Sequence, residues 1–146
     1  MQLLRCRSYS CMALLLSACL IGCGDGRPER VAVTGQVMID GEPLRHGFVQ
    51  VIPDNARPAV SPIDSEGRFT LSTFGNQDGC IPGTHKVAVN GIETISPTRQ
   101  KWHAPKRYMD TETSGLTLTI DENTKEVKIE LSWDGEEPVE ETFAEE

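Results

Sequence analysis

The sequence predicts an all-β protein: an antiparallel two-sheet sandwich of seven short strands in Greek-key order. Three observations predict it. Apolar and polar residues alternate in several separate runs, the period of two that turns one face of a strand toward a core. Clusters of Gly, Pro, Asp and Asn punctuate those runs at short intervals, as chain reversals require. Beyond residue 22, no segment carries a helical period of useful length.

The chain begins with Arg5 and Arg7, then an apolar run from Cys11 to Ile21 containing Leu14, Leu15, Leu16 and Leu20. A short charged region ahead of a short apolar one is the layout of an export signal, and the run is too short to span a bilayer comfortably. Leu20-Ile21-Gly22-Cys23 resembles a bacterial lipobox, in which a signal peptidase cuts before the cysteine and the thiol carries a diacylglycerol. Lipidation of Cys23 is the expectation; an ordinary secretory signal with Cys23 incidental is the alternative. The expected organisation is a signal peptide at 1–22, a flexible tether at 23–30, a β-sandwich domain at 31–133 and an acidic disordered tail at 134–146.

Removing 22 of the 146 residues leaves 124, enough for one core. Two arginines and no acid leave with them, so the net charge moves from −8 to −10. That excess argues against nucleic acid and against an anionic lipid surface as partners, and favours solubility and weak attraction for cations. Cys6, Cys11 and Cys19 leave with the signal, so Cys80 is the one thiol left beside a lipidated Cys23. No intramolecular disulfide is expected, and Cys80 reads as a small buried hydrophobe.

The first strand comes from Val31, Val33, Val37 and Ile39, which alternate with Ala32, Thr34, Gln36 and Met38. Asp40-Gly41 supplies its turn. Phe48 to Ile52 is a second apolar run, stopped by Pro53, and Pro58 and Pro62 restrict the next part to loop or edge strand. A hairpin is expected from Val60, turning at Asp64-Ser65-Glu66-Gly67 and returning through Arg68 to Thr73. The acids at that turn lack the ligand spacing of a calcium loop. His85, Val87 and Val89 share one face of a further strand, with Lys86, Ala88 and Asn90 on the other. Leu116, Leu118 and Ile120, then Val127, Ile129, Leu131 and Trp133, form what reads as the clearest hairpin, turning at Asp121-Glu122-Asn123. Between these lies Ile92 to Thr113, expected to be a long functional loop.

Val33-Thr34-Gly35-Gln36-Val37, Asp40-Gly41-Glu42-Pro43-Leu44, Asp64-Ser65-Glu66-Gly67-Arg68-Phe69 and Pro82-Gly83-Thr84-His85-Lys86-Val87 together resemble the carboxypeptidase regulatory-like domain. That domain is a transthyretin-like (prealbumin-like), Ig-like sandwich. Pro105-Lys106-Arg107-Tyr108, Ser114-Gly115-Leu116-Thr117 and Asn123 extend the likeness to a family of small bacterial lipoproteins, over most of 31–133. The mechanical reasons are separate from the resemblance. Gly35 gives up a side chain where its strand passes close to something else or bulges, Gly41 and Gly67 reverse the chain, and Gly83 launches a strand. His85 stands where the family usually has tyrosine, and a ring nitrogen bonding the backbone near a corner would serve the same structural purpose.

The resemblance implies a scaffold rather than an activity. The related 5-hydroxyisourate hydrolase relies on a C-terminal Tyr-Arg-Gly-Ser, whereas this chain ends Phe143-Ala144-Glu145-Glu146. No zinc-protease, nucleophile-elbow or phosphate-loop motif appears. His46, His85 and His103 lie on different expected elements without ligand spacing, so no metal, cofactor or catalytic residue is expected. Trp102, His103, Arg107 and Tyr108 are the candidate ligand-binding group in the 92–113 loop. Trp102 and Tyr108 either offer stacking faces to sugar or peptide, or pin the loop to the sandwich. The expected protein is therefore an exported, non-catalytic envelope lipoprotein held to its membrane by Cys23, with an envelope protein or polysaccharide as partner.

Overall fold

A computed structural model describes residues 26–143; the export segment and Cys23 lie outside the described residues. The strands in chain order are β1 (Thr34–Ile39), β2 (Glu42–Pro43), β3 (Phe48–Ile52), β4 (Ala59–Pro62), β5 (Arg68–Thr70) and β6 (Gly83–Asn90). They continue with β7 (Ile92–Ser96), β8 (Arg99–Trp102), a 3-10 turn at Lys106–Met109, β9 (Leu116–Ile120), β10 (Glu126–Leu131) and β11 (Glu140–Thr142).

Two four-stranded sheets make the sandwich. One has the order β4-β3-β6-β9, antiparallel throughout. In the other, β1 pairs with β10 along one edge and shares its second edge between β2 and β5. Val37 of β1 and Leu131 of β10 meet Val49, Val51, Val87, Val89 and Ile120 of the facing sheet in one core. Each of these side chains, fully removed from water, contributes roughly 1.5–3 kcal/mol before entropy is charged against it. The β1–β2 turn works as the sequence implies: Asp40 and Gly41 both have positive φ (47° and 86°), the pair of conformations that a two-residue hairpin needs.

The all-β sandwich stands, but the described residues form eleven strands rather than seven, eight in the sandwich and three outside it, and four pairings depart from expectation. First, β1 and β10 run parallel, from Thr34↔Glu126 to Ile39↔Leu131, where every pairing was expected to be antiparallel. Strands this far apart in sequence have no tight turn to impose direction. Second, β9 and β10 form no hairpin: β9 joins β6 in one sheet and β10 joins β1 in the other. Both have an apolar face to bury, and the core takes one from each side. The Asp121–Thr124 turn therefore crosses between sheets, and Thr34 fastens its end by donating through N and Oγ1 to the Lys125 carbonyl.

Third, β4 and β5 part in the same way, β4 to β3 and β5 to β1, with a bridge between Val60 and Ser72 and a hydrogen bond from Thr70 N to Ser61 Oγ still linking the two segments. Fourth, the expected 92–113 loop contains a hairpin, β7 and β8, and the expected disordered tail contributes β11 to it. The order β11-β8-β7 makes a third, outlying sheet. Charge explains the tail: Glu140 lies opposite Lys101, and Thr142 opposite Arg99, so an acidic strand pairs with a basic one.

Gly35 shows how tightly β1 is enclosed. A Cβ there would lie 2.4 Å from Phe69 Cζ and 2.5 Å from the Val127 carbonyl oxygen. The Phe69 ring occupies the space that a side chain would need.

Candidate functional site

At one end of the sandwich, two segments press against the corner between β6 and β7. Gly47, with φ at 112°, brings the β2–β3 connection so close that a Cβ would fall 1.7 Å from the Asn90 carbonyl oxygen. Gly91 does the same for the chain leaving β8, where its own Cβ would lie 2.8 Å from that of Ala104. His103 N donates to the Gly91 carbonyl at 2.8 Å, and Asn90 Oδ1 accepts from Ile92 N and holds the corner. Each approach carries a histidine with it, His46 beside Gly47 and His103 opposite Gly91.

The two imidazoles stack with centroids 4.5 Å apart and planes 26° from parallel. Glu93 on β7 lies diagonally across from His103, on the same face of the hairpin. Its Oε2 is 2.7 Å from His103 Nε2 and 3.9 Å from His46 Nε2. An ionised carboxylate only accepts, so His103 Nε2 carries the proton of the shorter contact. That hydrogen bond, helped by the charges of nearby bases and opposed by partial desolvation, holds the Glu93 carboxyl below the usual glutamate value. His46, Glu93 and His103 are 42%, 37% and 23% exposed, so solvent reaches all three.

The four candidate ligand-binding residues divide. Trp102 and Tyr108 are only 6% and 8% exposed, so neither offers a ring face to a ligand. Trp102 donates through Nε1 to Glu141 at 3.0 Å, and Lys106 lies over its ring while pairing with the same carboxylate. These contacts depress the Glu141 pKa, the Lys106 hydrogen bond most and that of Trp102 next. Arg107 lies 4.7 Å over the Tyr108 ring and reaches the Ser132 carbonyl and Asp134, both at 2.5 Å. Trp102, Arg107 and Tyr108 therefore fasten the loop and the tail to the body, beside a cleft of about 270 Å³. His103 alone enters a cluster that also holds a second histidine and a carboxylate.

The Tyr108 hydroxyl accepts from Ser132 N at 3.1 Å and donates toward the Ser132 carbonyl at 3.3 Å. Tyr108→Phe is expected to cost about 1–2 kcal/mol, because a shielded N–H loses its acceptor. A urea midpoint that falls at unchanged slope is the predicted result; an unmoved midpoint would show the hydroxyl contributes nothing.

Other reactive groups are occupied or buried. The Cys80 thiol is pushed up to about 11, chiefly by burial, against a smaller opposing hydrogen bond from the Ile81 backbone. His85 donates through Nε2 to the Ile81 carbonyl at 2.8 Å and packs over Gly83. From sequence alone His46 is set aside for want of ligand spacing, and Glu93 is passed over. Nothing local marks them, since His46 stands 47 residues before Glu93, and only the backbone contacts of Gly47 and Gly91 bring them together.

No family model matches the sequence, and no curated protein matches it either. Among solved structures, the chain is similar to a DUF3823 family protein from Bacteroides ovatus, at 18% identity over 70% of this chain, with a TM-score of 0.40. It is also similar to one from Parabacteroides merdae, at 12% identity over 73% of this chain, with a TM-score of 0.41. The alignments cover 44% and 46% of those proteins, so the chain spans less than half the length of either.

Proposed function

We propose that this chain is an exported, lipid-anchored envelope module of the carboxypeptidase regulatory-like type, which acts through its surface on an envelope protein or polysaccharide rather than by catalysis. The observation that carries this reading is Leu20-Ile21-Gly22-Cys23, set behind a charged and then apolar segment and ahead of the polar, glycine-rich stretch from Gly24 to Arg30. Non-catalytic action is supported by the state of the obvious nucleophile and base: Cys80 is buried and held protonated, and His85 is committed to a backbone carbonyl.

A more specific mode is peptide binding by strand addition. The outer edge of β7 has no strand beside it among the described residues, and Ile95 on that strand is exposed. An extended peptide could extend the outlying sheet there through main-chain hydrogen bonds.

Cells fed a fatty-acid analogue are expected to label this protein, and Cys23→Ala is expected to abolish the label and release the protein from the membrane fraction. A label that survives Cys23→Ala would remove the anchor from the account.

A further inference from the structure

We propose that His46, Glu93 and His103 form a binding site for a divalent transition metal ion of the zinc class. The ion would be held by one nitrogen from each imidazole and one carboxylate oxygen, with its remaining coordination position open to water or to a donor from a bound partner. The site is separate from the anchor and does not depend on it.

The donor set is the first argument. Imidazole suits zinc, copper and nickel, and two histidines with one glutamate is a set that zinc accepts while keeping a fourth position free. Geometry is the second. Bonds of about 2.0–2.1 Å arranged tetrahedrally put ligand atoms about 3.4 Å apart. Here the ligand atoms all lie within 4.8 Å of one another, with Glu93 Oε2 at 2.7 Å from one histidine and 3.9 Å from the other. The shorter contact opens and the longer one closes by less than 1 Å each to reach about 3.4 Å, and the two imidazoles turn out of their stack so that a nitrogen lone pair of each points at the ion, a change that side-chain rotation supplies. The metal takes the place of the proton now shared between His103 and Glu93, and that imidazole keeps a proton on Nδ1 instead.

The third argument is how the three residues are held. They sit on separate elements, yet each is positioned by backbone rather than by its own side chain. Gly47 packs against the Asn90 carbonyl and so fixes the backbone beside His46, the Gly91 carbonyl receives His103 N, and Glu93 is fixed by its register in the β7–β8 hairpin. With the backbone already in place, binding has only to reorient three side chains rather than bring the segments together. All three side chains are partly exposed, so an ion can enter from solvent. The Glu93 carboxyl is already held in its ionised form, and the acidic chain attracts cations.

The test titrates the full chain, stripped with EDTA, with Zn²⁺ against a chromophoric chelator at neutral pH. One equivalent should bind with micromolar affinity. His46→Ala and His103→Ala should each weaken it at least tenfold, and Glu93→Gln should weaken it several-fold. Binding should also weaken as the solution is acidified, since protons compete with the metal for the imidazole nitrogens. Loose binding of several ions that ignores all three substitutions would mean that only the acidic surface is being counted, and would overturn the site. So that the test does not depend on the folding of any variant, wild-type protein is also loaded with Co²⁺: intense visible bands of a four-coordinate ion at one equivalent are expected. Their absence would overturn the proposal without any variant.

Discussion

Gly47→Ala is expected to lower the melting temperature by on the order of 10 °C, or to prevent folding. Two separate penalties act at this position. A φ of 112° lies where a residue with a Cβ is strained, and the added carbon would lie 1.7 Å from the Asn90 carbonyl oxygen. That oxygen belongs to the backbone at the end of β6, so no flexible side chain can swing away. The combined cost is on the order of 3 kcal/mol or more. Gly41→Ala is the control, because its φ of 86° is also positive but nothing lies within 4 Å of the added carbon. It should cost about 1 kcal/mol. Thermal melts of the two variants side by side decide the matter: equal losses would mean that conformation alone, and not the close approach to Asn90, governs this corner.

Phe69→Ala should be the most damaging truncation in the β1 sheet, at about 3–5 kcal/mol, because the ring is buried against Gly35 and its removal leaves a cavity. Gly35→Ala should be comparably harmful for the opposite reason, overcrowding. The two sites touch, so their effects should not add. With Phe69 truncated, the contact at 2.4 Å disappears, but the Val127 carbonyl oxygen at 2.5 Å and Val127 Cγ2 at 2.7 Å remain. The double variant should therefore lose less than the sum of the single losses while staying well below wild type. Urea unfolding of all four proteins gives the coupling directly, and strict additivity would show that ring and glycine do not share space.

Much of this architecture is legible in residue order. Phe48 to Ile52, His85 to Val89 and Val127 to Leu131 are strands because their apolar residues face the core in register with the pleat. The Asp64–Gly67 turn is equally local: Asp64 Oδ1 accepts from the backbone N of both Glu66 and Arg68. Partner choice is not local. Nothing in Leu116 to Leu131 tells a hairpin from two strands sent to opposite sheets, since the same alternation serves either.

The outlying sheet escaped for a different reason. Glu93-Thr94-Ile95-Ser96 and Arg99-Gln100-Lys101-Trp102 bury only Trp102, so they carry no period to detect. The acidic tail did hold a usable signal in its charge, opposite to that of Arg99 and Lys101, but a run of glutamates reads first as solvated chain. Of the four loop residues marked for binding, three proved to be fasteners. His46 was set aside and Glu93 passed over because a cluster of this kind exists only after folding.

The parallel pairing of Thr34–Ile39 with Glu126–Leu131 joins nearly opposite ends of the sandwich. Its first strand therefore waits, one long edge bare, until almost the entire chain has been made, and contacts so distant in sequence slow folding. A polypeptide built this way cannot finish its core on the ribosome before the last fifth emerges. Until those residues arrive the chain stays pliable, with its two sheets unclosed.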